Sequence, residues 1–94
     1  MATTGSRLTL NIKLQFRTKV EELQMYRSAS IKDLKERVHR KYNILPRDQI
    51  IIFQGGPVEN YEILGTLGTI YFPEENSADD TLYLSLIVND QRQI

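Results

Sequence analysis

The chain has no cysteine and no tryptophan, a single histidine, three prolines, five glycines and no surplus of charge of either sign. Without cysteine there is no disulfide framework, no thiolate nucleophile and no cysteine-ligated zinc. One histidine and scattered serines do not assemble a nucleophile, a base and a group to orient it, so no catalytic residue is expected. Twelve Lys and Arg stand against twelve Asp and Glu, which removes any global attraction to nucleic acid or to anionic lipid. The longest apolar run is Ile50–Phe53, whereas a bilayer span needs roughly 20 residues. Residues 1–6 carry no apolar signal segment either. The expectation is an intracellular protein, cytoplasmic or nuclear, with no cofactor, no metal, no nucleic-acid partner and no membrane partner.

What remains is enough apolar material for one core. With 94 residues, 40% of them hydrophobic and 26% charged, the chain fits a single globular domain. The expected division is a flexible leader over 1–7, the domain over 8–88 and a flexible tail over 89–94. Leu8, Leu10, Ile12, Leu14 and Phe16 alternate with polar residues, the period of a strand with one buried face. After Arg17-Thr18-Lys19 a second strand runs from Val20 to Tyr26 with Leu23 and Met25 inward. Val20 interrupts its alternation, so a bulge is expected there.

Ser30 is placed to cap a helix beginning at Ile31, with Asp33 in its first turn. Ile31, Leu34 and Val38 recur at helical spacing, and Asn43 suits a left-handed C-terminal cap before Pro46. Gln49–Gln54 reads as a third strand ended by a Gly55-Gly56-Pro57 turn, with Val58 anchoring the return. The segment from Ile63 to Gly68 is expected to be compact and irregular, with about one turn of tight helix. Residues 71–80 read as an acidic loop. In Thr81–Val88, Leu82, Leu84, Leu86 and Val88 alternate with Tyr83, Ser85 and Ile87, a last strand. Strand, strand, helix, strand, short segment, strand, with one amphipathic helix to cover one sheet face, is an α+β β-grasp arrangement.

Ser30-Ile31-Lys32-Asp33-Leu34-Lys35-Glu36-Arg37-Val38 resembles the capped helix of ubiquitin and the ubiquitin-like domains. Pro46 to Gly55 resembles the family's proline-led third strand, Ile63 to Gly68 the segment before its last strand, and Thr81-Leu82-Tyr83-Leu84 that last strand. The resemblance covers about Leu8 to Val88 and implies a non-catalytic protein-interaction module of adaptor type. The family's conjugated members end in an exposed diglycine, whereas the sequence here ends Asn89-Asp90-Gln91-Arg92-Gln93-Ile94. A conjugated modifier is therefore expected only if the C-terminus is truncated. Gly56 stands where the family's chain-linking lysine would be. Another β-grasp scaffold, Ras-binding or built on acidic–basic pairing, is the further alternative.

Alternation leaves Tyr83, Ser85 and Ile87 on the face turned away from the helix. If Ile51 and Phe53 point inward, as the resemblance implies, Ile50 and Ile52 join them outside. Contiguous apolar residues on an uncovered sheet face mark a contact surface. By resemblance Ile52 is the central isoleucine of the recognition face, Gly55 lies at its edge, and Tyr83 and Ser85 take the flanking positions. Ile50 and Ile87 replace arginines of ubiquitin, so the face should be more apolar, with Lys13 its one nearby positive charge. The expected partner of this monomer is a ubiquitin-receptor-type helix laid across the strands. A neighbouring domain or a homodimer contact is the architectural alternative. His39 and the run Lys35, Arg37, Arg40, Lys41 read as a solvated helix face. Glu74, Glu75, Asp79 and Asp80 lack the ligand spacing of a calcium loop.

Overall fold

The computed structural model describes residues 8–71 and 81–89. Strands β1 (Thr9–Phe16) and β2 (Lys19–Tyr26) are followed by helix α1 (Ile31–Tyr42) and a 3₁₀ turn at Pro46–Asp48. After these come β3 (Gln49–Phe53), β4 (Gly56–Pro57), helix α2 (Leu64–Tyr71) and β5 (Thr81–Val88). The strands form one sheet in the order β2-β1-β5-β3-β4. The last strand is thus inserted in the middle, parallel to β1 and antiparallel to β3. The acidic segment expected before β5 lies outside the described residues from 72 to 80, as do residues 1–7 and 90–94.

Side-chain alternation sorts the strands into two faces. Leu10, Ile12, Leu14 and Phe16 of β1, Ile51 of β3 and Leu82, Leu84 and Leu86 of β5 are buried with Ile31, Leu34 and Val38 of α1 and Leu64 and Leu67 of α2. Each such side chain contributes about 1.5–3 kcal/mol when fully withdrawn from water. Leu23, Met25, Ile44, Phe53, Val58 and Val88 pack around this core, as their positions implied. Leu8 does not join it; it precedes the strand and is exposed.

The bulge expected at Val20 is absent. All β1–β2 pairs from Phe16↔Lys19 to Thr9↔Tyr26 keep one register, closed by a two-residue Arg17–Thr18 loop in which Arg17 has φ 58°. Val20 faces outward opposite Gln15, and Glu21 takes the inward place opposite Leu14. That place lies against the last turn of α1, where the Glu21 carboxylate accepts hydrogen bonds from Lys41 Nζ and Tyr42 Oη. The Tyr42 ring packs on Phe16 with centroids 5.2 Å apart, and Lys19 Nζ sits 5.1 Å from the Tyr42 centroid. A polar clamp, not an extra residue, interrupts the pattern.

Both ends of α1 follow their expected chemistry. Ser30 Oγ accepts from the Asp33 amide at 3.2 Å while Asp33 Oδ2 accepts from the Ser30 amide at 2.9 Å, a closed capping box. The amides of Ile31 and Lys32 donate to the carbonyls of Glu62 and Asn60, so the orphan donors of the first turn are satisfied. Asn43 ends the helix in the left-handed region, φ 62° and ψ 37°, its amide donating to the His39 carbonyl.

Two further expectations change. The segment read as irregular forms an eight-residue α-helix, Leu64–Tyr71. Its first amides are satisfied outside the helix, Leu64 by the Ala29 carbonyl and Gly65 by the Arg27 carbonyl, both at 2.9 Å. The β3–β4 turn is shifted by one residue. It is built on Gln54 (φ 55°) and Gly55 (φ 84°), the pair of positive φ angles that a two-residue hairpin loop favours. Gly56 and Pro57 pair back onto Phe53 and Ile52.

Candidate functional site

The helices occupy one side of the sheet. On the other side the register assembles the outward residues into rows. Gln15 of β1 lies opposite Ser85 of β5, Ser85 opposite Ile52 of β3, and Ile52 opposite Pro57 of β4. Ile87 lies opposite Ile50, and Lys13 opposite Tyr83. Ile50, Ile52, Tyr83, Ser85, Ile87 and Lys13 therefore do share one face. Tyr83 is 62% exposed and Ile87 51%, while Ile50, Ile52 and Ser85 are half-buried by their neighbours in the sheet. Gly55 stands at the tip of the β3–β4 turn with nothing within 4 Å of where a Cβ would be. Its positive φ makes its role there a conformational one.

This face has two halves of different character. Outward positions of β1 and β2 carry Asn11, Lys13, Gln15, Glu22 and Gln24, flanked by Val20 and Tyr26, whereas those of β3 and β5 carry mainly Ile50, Ile52, Tyr83 and Ile87. Lys13 does not stand as a lone positive charge. Glu22 lies directly opposite it on β2, with Nζ and Oε2 3.8 Å apart. Pro57, which the sequence placed in the turn, extends the Ile52 row at its outer edge.

The basic run of α1 is not simply solvated. Lys35 Nζ donates to Asn60 Oδ1 at 2.7 Å, and burial there holds its ammonium below the usual lysine range, the nearby Glu59 charge opposing this. Arg37 reaches the Gln24 carbonyl on β2 at 3.4 Å. Lys41 is held by Glu21, whose carboxyl is pushed below its ordinary value by the Lys41 hydrogen bond first and the Tyr42 hydrogen bond second. The same contact raises both Lys41 and Tyr42. These groups fasten α1 to the hairpin and to the 59–62 loop. His39 is half-buried on α1, and among the described residues no three His, Cys, Asp or Glu gather to hold a metal. No helix among them is long and apolar enough to cross a membrane.

Sequence reading missed one buried polar group. Gln49 at the start of β3 is 2% exposed, and its Nε2 donates at 2.9 Å to the carbonyls of both Lys35 and Ile44. It joins the helix to the chain that leads out of it. A polar residue in the inward phase set by Ile51 and Phe53 was the available signal.

The profile of the ubiquitin family matches residues 10–69. Comparison with curated protein sequences finds no match. Among solved structures, the ubiquitin-like domain of the Arabidopsis thaliana protein At2g32350 superposes with a TM-score of 0.70 at 13% identity, over 92% of this chain and 83% of that one. Ubiquitin of Caldiarchaeum subterraneum gives 0.70 at 17% identity, over 89% and 98%. ATBAG1, solved in complex with HSP70, gives 0.69 at 16% identity over 85% of this chain but only 40% of its own. At these identities the structural likeness speaks for the fold alone. The matched profile spans more than half of the sequence, and with the five-stranded mixed sheet and its capped helix it establishes that the chain belongs to the ubiquitin family.

Proposed function

We propose that this domain is a non-catalytic protein-interaction module of adaptor type, docking a partner helix on the outer face of β3 and β5. Ile52 is the centre of the contact, Ile50, Tyr83 and Ile87 supply its apolar area, and Ser85, Gly55 and Lys13 border or floor it. The observation that supports this reading is the register. It brings four large side chains from two strands distant in sequence onto the face that α1 leaves open, where a contiguous apolar patch favours burial against a partner. The similarly folded ATBAG1, solved in complex with HSP70, supports a protein-binding role. We place the module in the cytosol or nucleus, in keeping with its lack of cysteine, and take it to act as a monomer.

Chemical-shift titration of the labelled domain with peptides of ubiquitin-receptor helices tests the reading. Perturbations should centre on Ile52 and Tyr83. Ile52→Lys should weaken binding about ten-fold or more, as a hot-spot residue does, while the amide spectrum stays dispersed. No perturbation around Ile52 and Tyr83 with any such helix would sink the proposal.

A further inference from the structure

β2 is the last strand on its side of the sheet, and among the described residues no strand pairs with its outer edge. In an antiparallel ladder, pairs that exchange backbone hydrogen bonds alternate with pairs that do not. The Arg27 amide donates to the Leu8 carbonyl at 2.8 Å, just beyond the Thr9–Tyr26 pair, and this sets the phase. Val20, Glu22, Gln24 and Tyr26 are then the residues whose amides and carbonyls point away from β1. The same residues turn their side chains to the face opposite α1, where Val20 is 52% and Tyr26 64% exposed. A strand of 8 residues in unbroken register, with a β-branched and an aromatic side chain outward, is a template for another strand.

One side chain reaches this edge from the helix. Arg37, half-buried on α1, donates from Nη1 to the Gln24 carbonyl at 3.4 Å. A second copy of the chain carries an edge that matches the rest. Antiparallel pairing of two β2 strands about a two-fold axis at Leu23 sets Glu22 opposite Gln24 and Val20 opposite Tyr26, an aliphatic–aromatic pair. Lys19 and Arg27 then face each other only at the strand ends. With the axis at Gln24, Glu21 falls opposite Arg27, a pair of opposite charge. With the axis at Glu22, two carboxylates stand face to face, which opposes pairing. Both acceptable registers need the Gln24 carbonyl as an acceptor, and that is the group Arg37 holds.

We infer that the β2 edge is a self-pairing site for a second copy of this chain and that Arg37 is its guard. With Arg37 on Gln24 the domain stays a monomer; with Arg37 withdrawn, two copies join β2 to β2 in one continuous sheet. Each copy carries one guard, so both are released when the pair closes. Lys41 ties the same strand to α1 through the Glu21 side chain, which leaves the backbone edge untouched. Arg37 ties it through an edge carbonyl, so its loss changes what the edge can bind as well as how firmly the helix is held. The inference concerns the opposite end of the sheet from β3 and stands apart from the docking role proposed for the β3–β5 face.

Sedimentation of the full chain, together with amide hydrogen exchange of the labelled protein, tests this. The parent should sediment as a monomer, with its Val20, Glu22 and Gln24 amides exchanging fast. Arg37→Ala should self-associate about ten-fold or more tightly than the parent, and the same amides should become protected as its concentration rises. Adding Glu22→Pro to Arg37→Ala removes an edge amide that β1 does not use, and should return the chain to monomer while the amide spectrum stays dispersed. An Arg37→Ala chain, shown folded, that is as monomeric as the parent would overturn the proposal. So would a parent that dimerises equally well, or whose edge amides are already protected as a monomer, because the edge would then need no guard. A dimer of folded protein that survives Glu22→Pro would place the contact elsewhere and overturn pairing through β2.

Discussion

Gly65→Ala sets two magnitudes against each other. Gly65 is in the first turn of α2, and alanine is favoured over glycine in a helix by about 0.8–1 kcal/mol, less near an end. On propensity alone the variant should be more stable. An added Cβ, however, would stand 2.9 Å from both the Cβ and the carbonyl oxygen of Arg27, and that oxygen already accepts the Gly65 amide at 2.9 Å. The carbonyl cannot retreat without disturbing this bond and the neighbouring one from Leu64 to Ala29, next to the Ser30 cap of α1. Overpacking against such a neighbour costs about 1–3 kcal/mol. The net expectation is a loss of about 0.5–2 kcal/mol, a thermal midpoint lower by roughly 2–16 °C at about 4–8 °C per kcal/mol for a domain of this size. Thermal unfolding of the full chain followed by far-UV circular dichroism measures it. Gly56→Ala is the control: its Cβ meets nothing within 4 Å, so a change within about 0.5 kcal/mol is expected. A Gly65→Ala midpoint equal to or above the parent's would show that the contact relaxes freely and that propensity decides.

Ser30→Ala removes one arm of the capping box and should lower stability by about 0.5–2 kcal/mol in urea unfolding, toward the low end because Asp33 still accepts from the backbone of residue 30. Gln49→Leu deprives the Ile44 carbonyl of its donor but also removes Oε1, a buried acceptor with no partner among the described residues; a net loss of about 1 kcal/mol is expected by the same method. Glu21→Gln should make stability less dependent on pH. The folded carboxyl lies below its ordinary value of 4.5, so its contribution is complete above that pH and is lost as pH falls through the folded value. Lys41 and Tyr42 lie above their ordinary 10.5 and 10.0, so their share is complete below those values and is lost as pH rises through the folded ones. The stability gap between parent and variant should be widest between about pH 5 and pH 9, narrow on either side and shrink with salt. A gap of constant width from acid to alkaline pH would refute the clamp.

The strands and the main helix were legible because each carries its period in the chain itself. Leu10 to Phe16 and Leu82 to Leu86 alternate cleanly, and Ser30, Asp33 and Asn43 are residues whose local chemistry specifies a helix end whatever surrounds it. α2 was harder to foresee. Glycine at 65 and 68 weakens the helical signal, and what secures the start of α2 is distant in sequence: the carbonyls of Arg27 and Ala29 and the burial of Leu64 and Leu67. Gln49 was hidden for the same reason, since its two acceptors belong to α1 and to the chain leaving it.

For the site, the decisive quantity is register, and one register error reached the chemistry. Alternation alone turned Tyr83, Ser85 and Ile87 outward, but the outward placing of Ile50 and Ile52 and their adjacency to β5, which depends on β5 entering between β1 and β3, came only from the family resemblance. A bulge at Val20 would shift the pairing beyond it by one residue, placing Leu23 rather than Glu22 opposite Lys13 and leaving that lysine uncompensated. The two-residue Arg17–Thr18 loop instead fixes Phe16 against Lys19, and counting three pairs along the hairpin brings Glu22 to Lys13. Thus Val20, which suggested a bulge, keeps the register, Glu21 bonds to Lys41 and Tyr42 on the helix side, and its neighbour Glu22 pairs with Lys13 on the opposite face. The two adjacent glutamates serve different surfaces because a strand turns successive side chains to opposite sides. One fastens the helix, and the other pairs with Lys13 on the opposite face.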